Sequence, residues 1–166
     1  DLTDIMSYVD DINMGGKEKQ IDSYTAEVEK LFGKCKLNKR KFTNCGVQYA
    51  TMEDGSITTD QDEYIKTLRP IQSPELTGAA AEKDATKLVS DIFVSLRGAL
   101  AYTTLTQAWI QVYIVALQRV QQPTNLDVRR LNAITRKLQK EPQKVIFKRM
   151  TCSGHVDIHT DSGYRR

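Results

Sequence analysis

The sequence predicts an α+β chain in which strands near both ends flank a helical middle. Three observations predict this class. Short apolar–polar patterns separated by turn signals fill the first sixty residues, apolar residues recur at intervals of three and four within residues 80–139, and alternation returns in Val156, Ile158 and Thr160. A chain of 166 residues has room for one ordinary domain or two small ones.

The first element is predicted to be a pair of short strands within residues 2–12, meeting near Val9, Asp10 and Asp11. Gly15 and Gly16 then interrupt the pattern. An amphipathic helix should follow and stop at Gly33, because apolar residues return at helical spacing in Ile21, Tyr24, Val28, Leu31 and Phe32.

Residues 42–63 read as β structure, with a hairpin turn at Asp54–Gly55. A short helical or extended exit follows around Tyr64. Pro70, Pro74 and Gly78 then mark a linker.

The helical middle is predicted from three apolar stripes. Gly98, inside the first, should mark close backbone packing or a break, and Pro123 and Pro142 should limit the last helix, which Thr124 or Asn125 can cap. The stripes are Leu88, Ile92, Leu96 and Leu100; then Trp109, Val112, Tyr113, Ala116, Leu117 and Val120; then Val128, Leu131, Ile134 and Leu138. Trp109, Tyr113 and Tyr102 are predicted to lie in the helical core.

Charge is unevenly distributed, although the net charge is only +3. The first thirty residues are acid-rich. Two basic blocks follow: Lys34, Lys36, Lys39, Arg40 and Lys41; then Arg129, Arg130, Arg136, Lys137, Lys140, Lys144, Lys148 and Arg149. This order is typical of a cation site followed by surfaces that face a polyanion, while a solvated face is the commoner explanation of any such run.

The cysteines and the apolar runs exclude several classes of protein. Cys35, Cys45 and Cys152 are odd in number and widely spaced, which argues against a disulfide framework and fits a reducing compartment. We expect no signal peptide and no membrane span, because the most apolar run, residues 109–117, is short. The pattern at both ends predicts a piece of a longer polypeptide.

Tyr8-Val9-Asp10-Asp11 is the sharpest chemical signal. Neighbouring side chains on a strand point to opposite faces, so two adjacent aspartates approach one site only at a turn. Carboxylates on a turn suit Mg²⁺ (or Mn²⁺), and two such ions can clamp the attacking and leaving oxygens of a phosphoryl transfer. An exposed acidic turn is the alternative.

The order of segments resembles the reverse transcriptase of copia-type retrotransposons over nearly the whole chain. Tyr8-Val9-Asp10-Asp11-Ile12 is similar to the family's palm hairpin. Weaker likenesses follow in the family's order: Asn44-Cys45-Gly46-Val47, Asp54-Gly55-Ser56-Ile57 with Gln61 and Tyr64-Ile65, Gly98-Ala99-Leu100-Ala101-Tyr102, Pro123-Thr124 with Arg130-Leu131, and Thr160-Asp161-Ser162.

The resemblance implies a fragment of a larger polymerase, with palm-type β-hairpins, a helical thumb and connection, and a terminal strand. Its implied domains are the end of the palm (1–72), a linker (73–79), the thumb and connection (80–142), and a truncated start of ribonuclease H (143–166). The implied activity is RNA-directed DNA polymerisation. The family's remaining metal carboxylates would lie outside this chain, so the isolated chain should be inactive.

The resemblance also implies residue roles and partners. Asp10, Asp11 and Asp161 would be catalytic metal ligands for Mg²⁺ or Mn²⁺, and Tyr8 would lie beneath the primer terminus. Arg129, Arg130, Arg136, Lys137 and Lys140 would contact nucleic acid. The implied partners are an RNA template, a DNA primer or hybrid duplex, and the rest of the Pol polyprotein, in the cytoplasm or in retrotransposon particles.

Two features leave alternatives open. Thr106-Gln107-Ala108-Trp109 stands where the family usually has Thr-Arg-Pro-Asp, which puts a thumb contact in doubt and keeps a non-catalytic, weakly basic remnant as the rival hypothesis. In the tail, His155, Asp157, His159 and Asp161 would share one strand face near Cys152. That set offers Zn²⁺ ligands but spreads over about 20 Å, too far for one ion.

Overall fold

Residues 4–8, 11–77 and 81–149 are described in the computed structural model. They contain six β-strands, five α-helices and two short 3-10 helices, which confirms the α+β class. The chain divides into two compact units, Asp1–Lys39 and Arg40–Arg166.

The first unit contains a β-hairpin and one helix. Strands β1 (Asp4–Tyr8) and β2 (Asp11–Gly15) pair antiparallel, with Asp4 opposite Gly15 and Tyr8 opposite Asp11. The predicted pair of strands is therefore confirmed.

Helix α1 (Glu18–Phe32) stops at Gly33, whose φ of 86° is accessible to glycine at little cost. None of its residues is buried, and Leu31 and Phe32 are 78% and 81% exposed. The segment after the helix is tied back to it by the Lys39 ammonium, which lies 3.0 Å from Asp22 and 3.5 Å from Glu18. The hydrogen bond to Asp22 raises the pKa of Lys39.

The second unit starts with an antiparallel sheet. Its strands lie in the order β3 (Lys41–Asn44), β4 (Val47–Thr51), β5 (Ile57–Asp60) and β6 (Val145–Phe147). Cys45 and Gly46 join β3 to β4 with φ values of 46° and 71°, as a two-residue turn of the type I′ kind needs.

The predicted turn at Asp54–Gly55 is confirmed between β4 and β5. The Asp54 carboxylate accepts hydrogen bonds from the backbone N–H and the hydroxyl of Ser56, at 2.9 and 2.6 Å. Those bonds lower the pKa of Asp54.

Strand β6 joins this sheet beside β5, from which it is more than eighty residues distant in sequence. A strand in the C-terminal segment is thus confirmed at Val145–Phe147. The alternating stretch from 150 onward lies outside the described residues. The predicted domain boundaries at 72, 79 and 142 stay predictions.

The core of the second unit lies between helices α2 (Asp62–Thr67), α3 (Lys87–Thr103), α4 (Gln111–Gln118) and α5 (Asn125–Lys140). Thr124 caps α5 in a reciprocal capping box with Asp127, as the sequence predicts. The buried apolar side chains of this cluster are Ile65, Leu68, Ile71, Val89, Phe93, Leu96, Leu100, Ile110, Ile114, Leu117, Val128, Leu131 and Leu138.

One predicted stripe is confirmed, and the other two are confirmed only in part. On α3, Leu88 and Ile92 are 71% and 43% exposed, and the buried face is Val89, Phe93, Leu96 and Leu100. A strict four-residue interval drifts about 40° per step around a helix of 3.6 residues per turn, so the true face alternates intervals of four and three. On α5, Val128, Leu131 and Leu138 are fully buried and Ile134 is partly buried.

On α4 the prediction is confirmed for Leu117 and wrong for Val112 and Tyr113, for a different reason. Val112 and Tyr113 are exposed, and Ile110, Ile114 and Leu117 are buried. The helix carries its own apolar residues on all sides, so the periodicity of the sequence does not indicate which face is buried. Tyr113 therefore lies outside the core, whereas Trp109 packs partly buried against it.

The segment predicted as a linker packs against α5 as far as it is described. Ile71 is buried, and its backbone N–H and C=O bond to the side-chain amide of Asn132 at 2.7 and 2.9 Å. A 3-10 helix, Pro74–Leu76, follows. Residues 71–77 are therefore held in place by tertiary contacts.

Candidate metal-binding hairpin and nucleic-acid interface

The β1–β2 hairpin pairs the first and last residues of the Tyr8-Val9-Asp10-Asp11 motif. Tyr8 is the last residue of β1, Asp11 is the first residue of β2, and the two residues are paired across the strands. Val9 and Asp10 lie between them in sequence and outside the described residues. Strand pairing thus brings the two ends of the motif together, as a metal-binding turn requires.

The remaining predicted ligand, Asp161, lies outside the described residues, as do Cys152, His155, Asp157 and His159. Within residues 4–8, 11–77 and 81–149, no three histidine, cysteine or acidic side chains come together as a metal site. The magnesium prediction and the zinc alternative both stay predictions.

A pair of carboxylates that the sequence did not single out meets Lys144. The ammonium lies 3.0 Å from Asp60 and 3.8 Å from Asp62. The hydrogen bond to Asp60 raises the pKa of Lys144. The positive charge of the ammonium offsets the negative charge of the two carboxylates. The ion pairs link the residue before β6 to the end of β5.

The basic residues predicted on α5 do not form one uniform face. Arg130 pairs with Asp127 at 3.3 Å, and the Lys137 ammonium lies 5.0 Å from the centre of the Trp109 ring, in cation–π geometry. Lys140 is exposed in the last turn of the helix.

Arg129 and Arg136 instead line one groove against residues 71–77. The Arg129 Nε donates to the backbone oxygen of Leu76 at 3.1 Å, which orients this half-buried side chain. Arg136 is exposed, and no carboxylate pairs with it in the described part of the chain. The groove has a volume of about 540 Å³ and also includes Ser73, Thr77 and Asn132.

Gln107 is fully buried. Its amide donates to the backbone oxygen of Gln143 at 2.7 Å and accepts from the Gln143 backbone N–H at 3.0 Å. Beside it, the Thr106 hydroxyl donates to Gln61 at 2.9 Å. These polar residues hold the α3–α4 connection against the chain that enters β6, a contact that the sequence did not predict.

Three comparisons were made, with models of protein families, with curated proteins and with solved structures, and none of them found a match to this chain. Among the described residues, no helix combines the length and the apolar character needed to cross a bilayer.

Proposed function

We propose that the chain is the C-terminal part of a copia-type retrotransposon reverse transcriptase, and that Asp10 and Asp11 belong to its polymerase metal site. The register of the hairpin carries the proposal, because Tyr8 opposite Asp11 leaves only Val9 and Asp10 between two paired strands. Adjacent carboxylates at such a position match the oxygen ligands that Mg²⁺ or Mn²⁺ prefers.

In the proposed reaction, the primer 3′ hydroxyl attacks the α-phosphorus of a nucleotide, and pyrophosphate leaves. The metal ions would stabilise the charge on the attacking and leaving oxygens. Asp10 would be the direct ligand, and Asp11 would shape the field and hydration around it. Tyr8 would lie beneath the primer terminus. Asp161 would be the first carboxylate of an attached ribonuclease H.

The proposal is tested in the full polypeptide that contains this chain, by extension of a DNA primer on an RNA template with Mg²⁺. We expect Asp10→Asn to lower the rate at least about 100-fold, which corresponds to about 2.7 kcal/mol of lost transition-state stabilisation. Asp4→Asn is the matched control, because Asp4 is opposite Gly15 at the far end of the hairpin.

Equal extension rates in the Asp10→Asn and Asp4→Asn variants would contradict the proposal. The isolated chain should not extend the primer at all, since the family's other palm carboxylate and its nucleotide-holding fingers would lie outside it. Extension by the isolated chain that depends on Asp10 would show that the active site is complete here.

A second candidate is a non-catalytic remnant that binds nucleic acid weakly. The burial of Gln107 favours it, since an amide bonded to Gln143 replaces the family's arginine and is unavailable to a duplex. An interrupted reading frame around this chain, together with no extension by the unmodified full polypeptide, would support the remnant.

A further inference from the structure

We propose that the groove between residues 71–77 and α5 binds the phosphodiester backbone of nucleic acid, and that Arg129 and Arg136 are its phosphate ligands. The inference rests on the proposed function for the identity of the ligand. It adds that two of the five predicted cations on α5 form the contact, while Arg130 and Lys137 do not.

The first support is the placement of the two arginines. They are seven residues apart, which is close to two helical turns, so both project from the same side of α5 at a separation of about 10 Å along the axis. Both line the groove, with Ser73 and Thr77 on the facing wall. A guanidinium offers planar paired donors that match phosphate oxygens.

The second support is that the groove is preorganised. Asn132 holds the Ile71 backbone through two hydrogen bonds, and Arg129 holds the oxygen of Leu76. These bonds fix the wall before a ligand arrives, which lowers the entropy lost on binding. The volume of about 540 Å³ is within the range of ordinary ligand clefts.

The third support is the charge balance. Glu75 is the acid of the facing segment, and its carboxylate accepts from the hydroxyls of Ser73 and Thr86, at 3.2 and 2.8 Å, and from the Thr86 backbone N–H. It does not line the groove. Arg130 is paired with Asp127, and Lys137 covers Trp109. Arg129 and Arg136 bring two positive charges to the groove, and none of its described lining residues is acidic.

The test titrates a labelled RNA–DNA hybrid into the whole chain at several salt concentrations. Three proteins are compared: the unmodified chain, Arg129→Gln/Arg136→Gln, and Arg130→Gln/Lys137→Gln. Both variants lose two positive charges from the same helix. We expect the groove variant to bind at least about tenfold more weakly and its salt slope to fall by about one to two, since each phosphate contact contributes close to one. The control variant should keep the slope of the unmodified chain.

Arg136→Gln alone is the variant that guards against a folding defect, because Arg136 is exposed and its substitution removes no internal hydrogen bond of the described residues. This variant should reduce the salt slope by about one and leave the melting temperature unchanged. Equal losses of affinity in the two double variants would contradict the groove as the binding site, while nucleic-acid binding by the chain in general would stand. No binding by the unmodified chain would contradict the proposal that nucleic acid is the ligand.

In a separate arm, inorganic phosphate is titrated while the arginine side-chain NMR signals are followed. Saturation below the concentration needed for the hybrid would mean that the groove selects a free phosphate. Primer extension is measured separately, so loss of the polymerase proposal is distinguishable from loss of the groove.

Discussion

The side chains of Asn132 and Gln107 are buried amides that bind the main chain of distant segments. Asn132 satisfies the N–H and the C=O of Ile71, and Gln107 satisfies the same two groups of Gln143. A primary amide suits this task because it carries one donor side and one acceptor side. Each contact replaces the pairing that a neighbouring strand would provide.

We expect Asn132→Ala to lower the free energy of unfolding by at least about 2 kcal/mol, because two buried backbone groups lose their partners and each unpaired group costs about 1–3 kcal/mol. Urea denaturation measures the change. Lys140→Ala on the same helix is the control and should stay within about 0.5 kcal/mol, since that side chain is exposed. A loss no larger than that of the control would mean that water replaces the amide without cost.

At the scale of the element, α3 is continuous through Gly98. The sequence predicted close packing or a break there, and both are wrong for the described residues: Gly98 is exposed, and a Cβ at this position would meet no described atom within 4 Å. Glycine therefore lowers the stability of this helix without serving a contact in the described structure.

Gly98→Ala is accordingly expected to stabilise the chain by about 0.5–1 kcal/mol, through a smaller loss of backbone entropy on folding. Thermal and urea unfolding measure it. Gly46→Ala provides the contrast, because the φ of 71° at Gly46 strains any residue with a side chain, and it should destabilise. Destabilisation by Gly98→Ala would indicate that another part of the polypeptide packs closely on this position.

At the scale of the whole molecule, the two units differ in how much they bury. Among the described residues, the buried apolar core belongs to residues after Arg40, and α1 buries no residue. An isolated helix of fifteen residues is marginal in water, because most helical stability in proteins comes from tertiary packing.

Hydrogen exchange should therefore separate the units. Amides of α1 should exchange orders of magnitude faster than those of Phe93, Leu100 and Leu131, whose opening requires disruption of the core. Trypsin should cut first among Lys34, Lys36 and Lys39, which lie in an exposed segment without regular structure. Protection of α1 equal to that of α5 would show that its apolar side is covered in solution.

The sequence by itself determined the local features. The hairpin around the paired aspartates, the turn at Asp54–Gly55, the stop at Gly33, the capping box at Thr124 and the buried face of α5 all depend on residues close together in the chain, and local patterns encode such features. The metal site was predicted from one local motif, and its carboxylates await a test by experiment.

Only the tertiary structure decided which distant segments meet. The buried faces of α3 and α4, the pairing of β6 with β5, the bond between Gln107 and Gln143, and the groove shared by Arg129 and Arg136 depend on contacts between segments far apart in sequence. Four of the five cations on α5 are exposed, and Arg129 is half-buried. Arg129 contacts residues 71–77, Arg130 pairs with Asp127, and Lys137 lies over Trp109, so the three side chains have different environments. Burial and pairing depend on the folded surroundings, and the order of residues along one helix does not encode them.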